Sequence, residues 1–405
     1  MKMLAGWALL EEPSVRTVLA LLDGGSGATR MVGGAVRDAL LGRAAGDADF
    51  ATTFRPPDVI ARAEAAGLKI VPTGIEHGTV TLIVAGRPFE VTTLRRDIET
   101  DGRHAIVHFT TDWREDAARR DFTMNALYCD ATGEVFDPCG GLADLMAGRV
   151  RFIGKAEDRI REDFLRVLRF FRFFAFYGSG RPDAEGLKAC ARLKSGVATL
   201  SAERVWAELK RILSAPDPTR ALLWMRTTEV LAKVLPESWG IDAIHRLFAA
   251  EASEDWTPDP LLRLQSILPP HRARIDALAE RLRLSRAETA RLLAWAEAPE
   301  VDPAASEAQL AQDLYRSGRD GVLDRMRHAL AREIDEGNSG AAAQLRRLVG
   351  IAESWRRPVF PVGGKDLVAK GLEAGPEVGK RLKALEQLWA ESGFTLSREE
   401  LLALG

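Results

Sequence analysis

The chain has 405 residues, 46% of them apolar and 28% charged, with a formal net charge of −2. That length exceeds what one hydrophobic core usually serves, so more than one structural unit is expected, and the near-neutral balance excludes a basic coat over the whole surface while allowing a local basic channel. The three cysteines, Cys129, Cys139 and Cys190, form neither a CxxC pair nor a zinc spacing, which points to a reducing cytoplasm and no disulfide framework.

At the N-terminus a short apolar stretch is cut off by Glu11 and Glu12, and no run of about eighteen apolar residues occurs anywhere, so neither a signal peptide nor a membrane span is expected. Gly33 and Gly34 precede a helical pattern over Ala35–Leu41. Glycines let a backbone approach a phosphate closely, and a helix start offers free amides to an anion, although a Gly-Gly pair alone is more often an ordinary turn. About a dozen residues on stand Asp47 and Asp49, flanking Ala48. In a strand, residues i and i+2 share a face, so the two carboxylates would point to one place, a costly arrangement unless a divalent cation lies between them. By itself Asp-x-Asp describes a solvated turn as well as a metal site.

A second helical pattern covers Pro57–Ala66, and two β-branched runs, Thr79–Val84 and Phe89–Leu94, are joined by an Ala85-Gly86-Arg87-Pro88 turn. Glu90 interrupts the second run where a core residue is expected, which makes it a candidate third carboxylate. Arg95–Asp116 is polar and reads as an irregular solvated loop with Asp101-Gly102-Arg103 as its hinge. Beyond about residue 155 strand signals stop. Ala202–Leu213, Ala273–Leu284 and Arg286–Trp295 carry apolar residues at three- and four-residue spacing, and breaks fall at Ser214–Pro218, Leu268–Pro270, Pro299–Pro303 and Arg357–Gly364. The aromatic run Phe170–Tyr177 reads as helix core.

The strings GGAVRD and GDADFATT resemble the signature of polymerase-β-type nucleotidyltransferases, specifically the bacterial and eukaryotic class of tRNA CCA-adding enzymes and their poly(A) polymerase relatives. The likeness continues through Arg119–Leu127, the ribose motif; Asp137-Pro138 with Gly140–Leu145; Glu162–Arg169; and Glu203–Leu209. It implies an α+β N-terminal polymerase-β-type nucleotidyltransferase head with an all-helical neck, body and tail. The expected divisions are 1–150 for the catalytic head, 151–215 for the base-recognising neck, 216–350 for the body and 351–405 for a tRNA-binding tail.

The resemblance further implies addition of C, C and A to the tRNA 3′ end from CTP and ATP, with pyrophosphate released. Asp47 and Asp49 would hold two Mg²⁺ ions for two-metal nucleotidyl transfer, with Glu90 completing or polarising that catalytic set. Gly33, Gly34, Arg37, Arg120, Asp121, Asn125, Asp163, Arg166 and Arg169 would bind the nucleotide. Asp121 and Asn125 bond a ribose hydroxyl or hold Arg120, whose alternative is a structural ion pair with Asp121. Asp163 and Arg166, three apart on a helix, offer acceptors and donors to a Watson–Crick edge, with an ordinary helix salt bridge as the alternative. Arg169 orients Asp163 or Glu162, or stacks on the base. Glu203 and Glu208 brace the neck. Arg346, Arg347, Arg356, Arg357, Lys365, Lys370, Lys380, Arg381 and Lys383, with the glycine-rich 363–379, would meet the tRNA acceptor stem and TΨC arm.

Poly(A) synthesis, partial A- or CC-addition and a catalytically silent RNA-binding protein are the competing readings. The polymerases carry a long basic extension that Arg398–Gly405 does not resemble, and a silent binder is expected to lose a carboxylate. None of the six histidines is followed by Asp, so no appended phosphohydrolase is expected.

Overall fold

The computed structural model describes residues 3–4, 6–44, 46–100 and 105–404. It divides into two compact units, Met1–Val234 and Leu235–Gly405.

The first unit begins with α1 (Ala8–Glu11), α2 (Pro13–Leu22), β1 (Thr29–Val32), α3 (Gly34–Leu40), β2 (Asp49–Thr52) and α4 (Pro56–Ala65). It continues through β3 (Lys69–Gly74), β4 (Thr79–Val84), β5 (Arg87–Thr93), β6 (Arg95–Thr100), β7 (Ala105–Phe109), α5 (Trp113–Ala118), β8 (Tyr128–Cys129), β9 (Val135–Phe136) and α6 (Gly141–Met146). Seven strands form one mixed sheet in the order β3-β4-β5-β2-β1-β8-β9, with β2 and β5 parallel and the other pairs antiparallel. The β4–β5 turn is tighter than its sequence indicates. Ala85 and Gly86 take φ of 51° and 79°, and Pro88 already pairs with Ile83 inside the hairpin. Both positive φ angles match the right-handed twist of the flanking strands.

The polar segment after Arg95 is not wholly irregular, since β6 and β7 pair as an antiparallel ribbon. The β-branched Ile98, Thr100, Ile106 and Val107 in its sequence suit a strand despite the charges beside them. The expected hinge Asp101-Gly102-Arg103 lies outside the described residues.

The helical part of the unit comprises α7 (Ala156–Glu162), α8 (Leu165–Tyr177), α9 (Ala184–Leu193), α10 (Ala202–Leu213), α11 (Thr219–Thr227) and α12 (Val230–Val234). Helix α8 packs against α10 and α11. Its Phe170, Phe171, Phe173 and Phe174 are buried, and Phe122 and Phe152 meet Phe170 and Phe173 with ring centroids 5.0–6.4 Å apart. The aromatic run is therefore core, as its helical density requires. Glu208 on α10 is buried and accepts from Arg172 Nε of α8 at 2.6 Å, which ties the two helices.

The second unit is helical throughout its described residues. Helix Arg319–Asp335 packs against Asp242–Ser253, Arg286–Glu297 and Ser339–Ser354 around Leu310, Val322, Met326, Leu330 and Leu345. A separate cluster gathers Tyr315, Val362, Leu385, Trp389 and Leu401. Arg346, Arg347 and Lys380 are ion-paired with Glu254, Glu307 and Glu377, and Arg357 lies 4.1 Å over the Tyr315 ring. No described helix is long and apolar enough to cross a membrane.

Candidate active site

The sheet brings the expected carboxylates to one end. Strand β1 runs into Gly33, whose φ of 74° favours glycine, and α3 follows at once. Val32 pairs with Asp49, and β2 pairs with β5 from Phe50 and Val91 onward, so Asp49 and Glu90 stand on adjacent strands immediately before those partners. Strand β2 starts at Asp49, not at Asp47. Asp47 sits in the lead-in, yet Ala48 is buried between two exposed aspartates, so the expected alternation persists there.

Although Asp49 keeps surface exposure, its carboxyl is pushed up to about 6, first by desolvation from the protein crowded around it and then by Glu90 and Asp47, against the pull of Arg120. None of these three acids has an ion-pair partner among the described residues. Nor does any set of three acidic, histidine or cysteine side chains among them form a complete metal cage. Hard oxygen donors that repel one another and form no direct ion pair among the described residues fit a divalent ion that takes its remaining ligands from substrate phosphates.

The Arg119–Leu127 segment is wired differently from its sequence reading. Arg120 pairs with Asp116, not Asp121. Asp116 is fully buried and accepts from Arg119 Nε at 2.8 Å, Arg120 Nε and NH2 at 3.3 and 3.2 Å, and Tyr128 OH at 2.8 Å. Burial alone raises its pKa, but Arg120, Arg119 and the Tyr128 hydroxyl together hold it below the ordinary carboxylate range. Asp121 accepts from Arg169 Nε and NH2 at 2.7 and 2.5 Å and from Asn125 Nδ2 at 3.0 Å. Against its burial, chiefly Arg169 keeps its carboxyl ionised below the usual range. Arg169 thus orients Asp121 and not Asp163 or Glu162. Arg37 donates to Asn125 Oδ1 at 2.7 Å and Tyr177 OH at 2.6 Å, so it ties α3 to α8 at the cleft wall.

Asp163 and Arg166 do not share one helix. Asp163 lies in extended conformation (φ −155°, ψ 109°) at the break between α7 and α8, where its Oδ1 accepts from Leu165 N at 3.0 Å. Its Oδ2 accepts from Arg204 NH2 at 2.7 Å. Arg166 NH1 instead meets Glu162 Oε2 at 2.5 Å and the Arg159 carbonyl at 2.8 Å. An aspartate that bonds the backbone two residues on favours a turn over a continuing helix, which explains the break. The routine Asp163–Arg166 salt bridge is absent. Both carboxylate and guanidinium are held by other partners at the cleft wall.

These residues converge on one cleft of about 570 Å³, lined by every expected site residue except Asp47 and joined by Arg95, Arg119 and Arg204. Its size is that of an ordinary small-molecule site. Acids at the sheet end and arginines on the other walls suit an anionic ligand carried with a cation.

Arg204 lies in the motif-like string Glu203–Leu209 without a role read for it there, and Asp116 lies outside the motif strings. Arg204 reaches Asp163 only because the fold sets α10 beside the helix break. Asp116 had a local signal in its three- and four-residue spacing to Arg119 and Arg120, which permits contact on one helical turn.

The sheet and cleft define a polymerase-β-type nucleotidyltransferase head. Residues 29–151 match the profile described as "Poly A polymerase head domain", and residues 181–240 match "Probable RNA and SrmB- binding site of polymerase A". The chain is 35% identical over 383 residues to CCA tRNA nucleotidyltransferase 1, mitochondrial, of Mus musculus, covering 92% of this chain and 85% of that protein. It is 33% identical over 380 residues to the Homo sapiens protein of the same name, with the same coverage of 92% and 85%. The crystal structure of the Bacillus stearothermophilus CCA-adding enzyme in complex with CTP superposes with a TM-score of 0.70 at 28% identity, covering 97% of both chains. The chain belongs to the CCA tRNA nucleotidyltransferase family.

Proposed function

We propose that this enzyme adds C, C and A to the 3′ end of tRNA from CTP and ATP, without a nucleic-acid template and with release of pyrophosphate. The observation that carries the reading is the single cleft in which Asp49 and Glu90 at the sheet end face Arg120, Asp163 and Arg166. Asp47 and Asp49 hold Mg²⁺, and Glu90 completes the acidic wall. Of the two ions held there, one would lower the pKa of the primer hydroxyl and the other would offset charge on the triphosphate and departing pyrophosphate. Gly33 and Gly34 bring the backbone close to the phosphates while Arg120 and Arg119 grip them. Asn125 and the Asp121–Arg169 pair face the ribose.

Cytosine and adenine share one pattern: an exocyclic amine that donates beside a ring nitrogen that accepts. A carboxylate and a guanidinium, here Asp163 and Arg166, complement both bases and mismatch guanine and uracil, whose corresponding edges are reversed. A fixed protein surface thereby replaces a template strand. We assign head, neck, body and tail to residues 1–150, 151–215, 216–350 and 351–405. Lys365, Lys370 and Lys383 are the tail cations that engage tRNA, and the segment around Asp101-Gly102-Arg103 supports the change from CTP to ATP.

The free cysteines favour a reducing cytoplasm, and fractionation of the native cell tests that placement against an organelle. The catalytic assignment is tested by nucleotide incorporation with and without Mg²⁺ in Asp47→Ala and Asp49→Ala. Loss of incorporation with retained tRNA binding is expected in both; undiminished incorporation rejects the metal assignment.

A further inference from the structure

The buried cluster beneath the arginine wall has an uneven charge balance. One carboxylate, Asp116, serves two guanidiniums, Arg119 and Arg120, and both arginines line the cleft. A purely structural pair needs only one arginine. Here the surplus positive charge is left facing the ligand space.

The geometry also selects which edge of Arg120 faces the ligand. Its Nε and NH2 are taken by Asp116 Oδ2, and Nε also donates to Tyr128 OH at 3.2 Å. NH1 carries none of these bonds and lies 3.7 Å from where a Cβ on Gly33 would stand, over the glycine that opens α3. Tyr128 is itself fixed. It is fully buried, pairs with Val32 across the β1–β8 ladder, and packs edge-on against Trp113 with ring centroids 5.2 Å apart. Its phenol is pushed further from ionisation by burial, so the hydroxyl stays a donor to Asp116 Oδ2 at 2.8 Å.

We propose that Asp116 and Tyr128 are positioning residues that lock the Nε–NH2 edge of Arg120, so that NH1 meets the triphosphate of the incoming nucleotide beside Gly33. This rests on the assignment of Arg120 as a phosphate ligand. Because the triphosphate is common to both substrates, the pair acts equally on cytidine and adenosine addition. Asp163 and Arg166, which address the base edge, leave pyrophosphate inhibition unchanged when they are replaced.

The test uses the full-length enzyme on tRNA lacking CCA and on tRNA lacking only the terminal A, with KM and kcat measured for CTP and ATP and with pyrophosphate and cytidine as competing probes. Arg120→Ala is the reference, Tyr128→Phe removes one oxygen from a packed ring, and Asp116→Asn removes the charge. The expected result for Asp116→Asn is a rise in KM on the order of tenfold, the loss of a hydrogen bond to a charged group. Tyr128→Phe gives a smaller rise. In each variant the factor is the same for CTP and ATP, pyrophosphate inhibition weakens in parallel, and cytidine inhibition is unchanged.

If Asp116→Asn does not fold, Tyr128→Phe decides. The proposal is overturned if Arg120→Ala shows that pattern while folded Tyr128→Phe leaves KM and pyrophosphate inhibition unchanged. It is also overturned if the variants lower melting temperature and kcat alone. An Arg120→Ala enzyme with unaltered KM and pyrophosphate inhibition rejects the phosphate assignment itself.

Discussion

Replacing Arg204 by Ala isolates the contact that holds Asp163, the carboxylate we propose reads the base. Arg204 NH2 and Asp163 Oδ2 are 2.7 Å apart, with side chains 27% and 19% exposed, so the bond is screened only in part. A hydrogen bond between charged groups contributes about 1.5–3 kcal/mol, and the exposure of Arg204 places this one near the lower end, about 1.5 kcal/mol. That corresponds to roughly a tenfold change in discrimination. The change is not larger because the Leu165 amide still holds Asp163 Oδ1 at 3.0 Å. Single-turnover incorporation of CTP against UTP on tRNA lacking CCA measures the ratio directly. Arg204→Ala is expected to lower selectivity for C about tenfold, mostly through slower correct incorporation, with Arg204→Lys in between. An unchanged C-to-U ratio in a variant of wild-type melting temperature refutes the reasoning, as does an equal fall for both nucleotides, which marks a general loss of packing.

Asp49→Asn is expected to abolish incorporation yet stabilise the metal-free protein. A carboxyl raised from 3.8 to about 6 binds its proton more tightly when folded, so its contribution to stability falls as pH rises from about 4 to about 6 and stays lost above that. Its exposure limits the gain to about 1 kcal/mol, read as a rise of a few degrees at pH 7 in chelator that vanishes near pH 4. In the second unit, Arg263 and Glu251 are 1% and 5% exposed and share bonds of 2.7–3.1 Å. Arg263→Ala strands a buried carboxylate and is expected to destabilise that unit by roughly 3–5 kcal/mol in urea unfolding, whereas a loss below about 1 kcal/mol contradicts the paired-charge account. A Cβ on Gly141 would stand 2.0 Å from the backbone oxygen of Thr123, so Gly141→Ala is expected to lower the melting temperature and the yield of folded enzyme; a wild-type melting curve rejects the contact.

The sequence exposed the chemistry more readily than the wiring. Asp49, Glu90 and Gly33 are legible because a charge in an apolar strand and a glycine before a helix are local departures from pattern, and the sheet brings them to one end. The hairpin at Ala85-Gly86 and the aromatic core of α8 are legible for the same local reason. Which arginine serves which aspartate is not. Arg120 and Asp121 are neighbours in sequence, but both lie in the bend after α5 and each takes a different partner, Asp116 and Arg169 respectively. Asp163 reads as helical from its neighbours until its side chain is seen to compete for the Leu165 amide. Arg204 is visible only once α10 lies beside that break.

The most direct measurement is extension of tRNA lacking CCA, resolved at single nucleotides, with CTP alone, ATP alone and both together in Mg²⁺. Two additions with CTP and a third only when ATP joins are predicted. A long adenosine ladder on unrelated RNA ends, or no extension by an enzyme that still binds tRNA, contradicts the account.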